Sequence, residues 1–229
     1  MSTASTAEPI DSRPHVARDA ADVVARGSTV EAVAGSGAVI LAILGLAGVS
    51  PAFLAAIATI AAGAALLSEG GAIATRYSDL VSELSRSSVE GGELGAGMSS
   101  EFMGGIAGLV LGILALLGVS RWPLMSVAAI VFGGSLLIGS TLVSELNDLT
   151  VAVRARRRGE EAGGVARQAV KAAVGTQVLV GLGAAVLGIL ALIGLAPHAL
   201  TLVAFLSVGA STLLSGSAVS ARLQRAVSA

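Results

Sequence analysis

The residues able to do chemistry in this chain are few, and most stand where apolar runs end. Glu31, Glu69, Glu101 and Glu145 all lie close to such boundaries. A ring of carboxylates there could draw cations toward a path, but polar boundary residues account for them better. No Asp, Glu, Lys, Arg or His falls deep within an apolar run. Ionisable groups inside a membrane usually mark proton relays and ion paths, so a proton pump or ion-coupled carrier is not expected. His15 and His198 are the only histidines, too remote in sequence to suggest the converging ligands of a metal centre. His198 by itself could sense external pH, since imidazole changes charge near neutrality. The corresponding places in the other turns hold Ala52 and Trp122.

Other motifs dissolve on inspection. Cysteine is absent, which removes disulfides, thiolate metal sites and cysteine nucleophiles. Gly181-Leu-Gly183 imitates the start of a dinucleotide loop, but Val186 holds the third glycine position and the segment is apolar helix interior. Ser36, between Gly35 and Gly37, has no histidine and acid to activate it. The cluster Arg154, Arg156, Arg157 and Arg158 could touch nucleic acid, yet the net charge of −1 gives no general pull toward it. Basic residues beside a membrane helix attract anionic lipid by about 1 kcal/mol each, so these arginines are read as a lipid or partner surface. The sequence therefore implies no catalytic residue, cofactor or metal.

The elements that would carry these residues are apolar helices. Of 229 residues, 54% are hydrophobic and only 13% charged, about half the charge of a typical soluble domain. The mean hydropathy is +0.87. The fold class expected is all-α: a polytopic membrane protein with six transmembrane helices, arranged as three tandem parallel helical hairpins with cytoplasmic helical linkers. A polar N-terminal tail (1–28), expected to be flexible at first with a short amphipathic helix over 16–25, precedes hairpin 1 (29–70). A cytoplasmic linker (71–100) leads to hairpin 2 (101–145), and a basic linker (146–173) to hairpin 3 (174–221) and a C-terminal tail (222–229). The polar residues beginning the chain are not a secretory signal, which needs a basic start followed at once by an apolar run. Helical spacing of Ile73, Tyr77, Leu80, Val81 and Leu84 extends the second helix to about Arg86, and Leu146, Leu149 and Val153 extend the fourth into the arginines.

Each hairpin is built on one phrase. Leu111-Gly-Ile-Leu-Ala-Leu-Leu-Gly118 has counterparts ending at Gly48 and Gly194, at intervals of 70 and 76 residues. Fifteen residues beyond each anchor stands another glycine: Gly63, Gly133 and Gly209. Glycine closes the first helix of each pair and proline opens the second, at Gly48/Pro51, Gly118/Pro123 and Gly194/Pro197. In the first helices, Gly35, Ala38 and Ala42 correspond to Gly105, Gly108 and Gly112 and to Gly181, Ala184 and Gly188. Such small residues at four-residue spacing let backbones approach closely in lipid, either within one chain or in a homo-oligomer. All copies run the same way, unlike inverted-repeat transporters.

Thirteen of fourteen basic residues fall in the termini and linkers, and only Arg121 lies in a tight turn. The positive-inside rule then places both termini and both linkers in the cytoplasm, with the chain in a bacterial inner membrane and Trp122 as an interfacial anchor.

Gly112-Ile-Leu-Ala-Leu-Leu-Gly118, followed by Pro123-Leu124 and Gly133, resembles the short-repeat bacterial membrane proteins of the HdeD type. The resemblance covers the three hairpins and implies three two-helix repeats and a role in acid or envelope stress. The residues themselves favour a non-enzymatic anchor or scaffold, with the lipid bilayer, a cytoplasmic protein or further copies of itself as partners. A channel or carrier for a small neutral or apolar solute is the competing expectation. It requires polar residues facing one another within the bundle, and Thr59, Ser126, Ser135, Ser207 and Ser211 are sparse.

Overall fold

The computed structural model describes the backbone of residues 13–85, 100–158 and 164–227, and the side chains of residues 29–71, 100–140 and 175–215. All the described secondary structure is helical: α1 (Arg13–Leu46), α2 (Pro51–Ser85), α3 (Ser100–Leu116), α4 (Arg121–Arg158), α5 (Gly164–Leu192) and α6 (Pro197–Val227). Five of these, all but α3, are long and apolar enough to cross a membrane. α3 is apolar but has 17 residues, about 26 Å at 1.5 Å per residue, against a hydrocarbon core of about 30 Å.

Several expected boundaries move. Residues 13–28 belong to one continuous helix with the apolar part of α1, where a separate tail and short helix were expected. At the other end α6 runs on through Arg222 and Arg225 to Val227, so most of the expected C-terminal tail is helix. Pro14 falls in the first turn of α1, where proline is tolerated, and the lone Gly27 does not stop a helix already nucleated next door. The extensions of α2 to Ser85 and of α4 to Arg158 follow the helical spacing of their sequences. Residues 1–12, including the expected flexible start, lie outside the described residues.

The three tight turns share one backbone geometry. Gly48, Gly118 and Gly194 have φ of 90°, 88° and 93°, the left-handed region that a residue without Cβ occupies cheaply. Gly48 N–H donates to Gly45 O and Val49 N–H to Leu44 O, and the same pair of bonds recurs at Gly118/Val119 and Gly194/Leu195. This paired closure satisfies carbonyls that a helix end leaves open. Pro51 and Pro197 are the first residues of their helices, whereas Pro123 is the third residue of α4, after Arg121 and Trp122. Its missing N–H falls in the first turn, where no intrahelical acceptor exists, so the shift is harmless.

α2, α4 and α6 pack on one another in the middle. Each of the others lies against two of them: α1 against α2 and α6, α3 against α2 and α4, α5 against α4 and α6. The inner faces follow steps of four, three and four residues, the spacing of a coiled-coil seam. On α2 these are Ala55, Thr59, Ala62 and Leu66; on α4 Met125, Ala129, Phe132 and Leu136; on α6 Thr201, Phe205, Val208 and Thr212. Every one is at most 1% exposed. Large side chains (Leu66, Met125, Phe132, Leu136 and Phe205) and small ones (Ala55, Thr59, Ala62 and Ala129) mix on these buried faces. The Phe132 and Phe205 rings meet edge-on with centroids 6.0 Å apart. The outer helices instead expose Ile40, Ile43, Val110, Ile113, Val186 and Ile189. An apolar surface that extensive is stable in lipid and a liability in water.

Candidate functional site: a buried carboxylate cluster

At the end of the bundle away from the tight turns, α1, α2 and α3 bring three glutamates together. Glu31 is 5% exposed and Glu101 is fully buried, and both lie within electrostatic range of Glu69. The expectation of polar boundary residues gave their place along the helices and not their enclosure. They do stand near the ends of apolar runs, but neighbouring helices enclose them. Glu145 lies among residues whose side chains are not described.

Glu69 is the best-defined member. Gln177 Nε2 on α5 donates to its Oε1 at 2.9 Å, and Ser215 Oγ on α6 reaches the same oxygen at 3.5 Å. Its Oε2 is buried with no hydrogen-bond partner among the described residues. Glu101, the second residue of α3, lays its carboxylate directly on Gly139 of α4, in the space a Cβ there would take. Ser100 Oγ donates to the backbone oxygen of Ser135 at 2.9 Å and lies 3.4 Å from Glu101 Oε2. Five helices, α1, α2, α3, α5 and α6, thus contribute polar side chains, and α4 contributes the space. Ionised carboxylates crowded away from water repel one another, and an uncompensated buried charge costs several kcal/mol. Among the described residues no group of three His, Cys, Asp or Glu is arranged to hold a metal ion.

Sequence reading missed Gln177 and Ser215, although the register contained them. With the 70- and 76-residue intervals, Gln177 stands where Glu31 and Glu101 stand, and Gly139 and Ser215 stand where Glu69 stands. An amide at one corresponding place and small residues at the other two leave room for the carboxylates.

The small residues singled out in sequence fall at helix contacts. A Cβ on Gly105 would lie 2.7 Å from Gly63 O, one on Gly133 2.5 Å from Gly181 O, and one on Gly35 2.9 Å from Gly209 O. These three pairs join α2 to α3, α4 to α5 and α6 to α1. Gly112 faces Ile60, Gly188 faces Ile130, and Gly108 accommodates the ring of Phe132. Ala38, Ala42 and Ala184 are fully buried.

At the turn end, Trp122 and His198 meet edge-on with ring centroids 3.9 Å apart. Polar side chains between the two ends turn back on their own helices. Thr59 donates to Ala55 O at 2.8 Å, Ser126 to Trp122 O at 2.9 Å, Ser135 to Phe132 O at 3.0 Å and Ser207 to Val203 O at 2.9 Å. The Ser126 and Thr201 hydroxyls also approach to 3.4 Å. Such back-bonding satisfies a hydroxyl in an apolar setting and builds no continuous polar lining. Arg154, Arg156, Arg157 and Arg158 end α4, but their side chains lie outside the described residues.

No family model matches this chain, and no curated protein or solved structure matches it either.

Proposed function

We propose that this chain is a non-enzymatic integral membrane protein that anchors or organises a partner on the side of its linkers. In this reading three tandem hairpins give six spans, with both termini and both linkers in the cytoplasm of a bacterial inner membrane. The shared turn geometry and the 70- and 76-residue register support the triplication. The concentration of basic residues in termini and linkers supports the orientation. α3, short by itself, spans with help from the turn residues that follow it and from packing against its longer neighbours.

The observation that carries the anchor reading is helix length. α2 continues from Glu69, the first charged residue after its apolar run, to Ser85, and α4 from Glu145 to Arg158. At 1.5 Å per residue these extensions reach about 24 Å and 20 Å past those glutamates, enough to present a helical surface to a cytoplasmic protein. The filled middle of the bundle weighs against a solute pathway. Mild detergent extraction from the native membrane, followed by the mass of the intact complex, tests the proposal. A stoichiometric soluble partner, lost when residues 76–86 and 147–158 are replaced, is the result expected. A bare monomer or homo-oligomer, with those segments dispensable for phenotype, overturns it.

The carboxylate cluster favours a second reading, a membrane protein that responds to acid or envelope stress, which the HdeD-type resemblance also implies. Side chains from five helices meet in this cluster, so a change at its carboxylates reaches five helices at once. Survival of a deletion strain in acid, complemented by the parent and by a Glu31→Gln/Glu69→Gln/Glu101→Gln variant, tests it. Equal survival of all strains eliminates this reading.

A further inference from the structure

We draw no further inference here: the strongest candidate, the cluster of Glu31, Glu69 and Glu101 at the end of the bundle away from the tight turns, belongs to the site already described, and nothing in the structure shows what ion or partner would occupy it.

Discussion

The side-chain amide of Gln177 donates to Glu69 Oε1 at 2.9 Å and so ties α5 to α2, joining residues 108 positions apart in the chain. Among the described residues, α2 and α5 have no close backbone approach. The two helices are linked by long polar side chains reaching past the helices between them. The bond thus reports on the whole assembly, since it forms only when the helices between them are in place.

Gln177→Leu removes that donor and leaves Glu69 with the longer contact from Ser215. The expected loss is about 1–3 kcal/mol, the usual cost of leaving a buried acceptor unsatisfied, read as a lower midpoint of thermal unfolding in detergent. Gln177→Glu adds a further carboxylate and should destabilise more at pH 7 than at pH 5, because protonation removes the added charge. Midpoints equal to the parent for both variants would show that the bond carries no stability.

Gly139→Ala places a methyl group where the Glu101 carboxylate lies. We expect destabilisation of about 1–3 kcal/mol, typical of overpacking. Glu101→Ala in the same chain vacates the space, so the pair should be strongly non-additive. A double-mutant cycle on unfolding midpoints checks this, and simple additivity would contradict the contact.

Glycines that look alike in sequence should separate into two classes. Gly63→Ala, Gly105→Ala and Gly133→Ala push backbones apart and should lower stability by about 1–3 kcal/mol. At Gly37 and Gly183 an added Cβ meets nothing within 4 Å. There alanine should be neutral or stabilising, by up to about 1 kcal/mol from helix propensity. Resistance to unfolding by a denaturing detergent ranks all five variants in one series.

Phe132→Ala opens a cavity beside Phe205 and Gly108 and should cost about 3–5 kcal/mol. If the filled middle of the bundle is a seal, the same variant in vesicles should leak small neutral solutes faster than the parent. Rapid flux through the parent protein itself would instead revive the solute-pathway reading.

The absence of cysteine makes topology directly measurable with single substitutions. Val119→Cys, in the second tight turn, should react with a membrane-impermeant thiol reagent added to intact cells. Ser87→Cys, in the first linker, should react only after permeabilisation. The opposite pattern would invert the orientation proposed from the arginines.

Much of the helical architecture was legible in the chain because it is locally encoded. Unbroken apolar runs fix where helices form, and a glycine after each of α1, α3 and α5 fixes where they stop, since only a residue without Cβ takes φ near 90° cheaply. Ser50, Ser120 and Ala196, which share the turns at φ of 38°, 33° and 37°, gave no comparable signal. Their type does not announce a left-handed conformation that the rest of the turn imposes.

The sequence by itself determined the helices, the tight turns and the register that relates Gly48, Gly118 and Gly194. Only the tertiary structure decided that Glu31, Glu69 and Glu101 share one enclosed space with Gln177 and Ser215. In a single helix each of these residues stands at the edge of an apolar run, where polarity is unremarkable. Whether such an edge faces water or protein depends on which helices surround it, and that is set by packing between segments up to 146 residues apart. Hydrophobic periodicity records a residue's own face and carries no record of its distant neighbours.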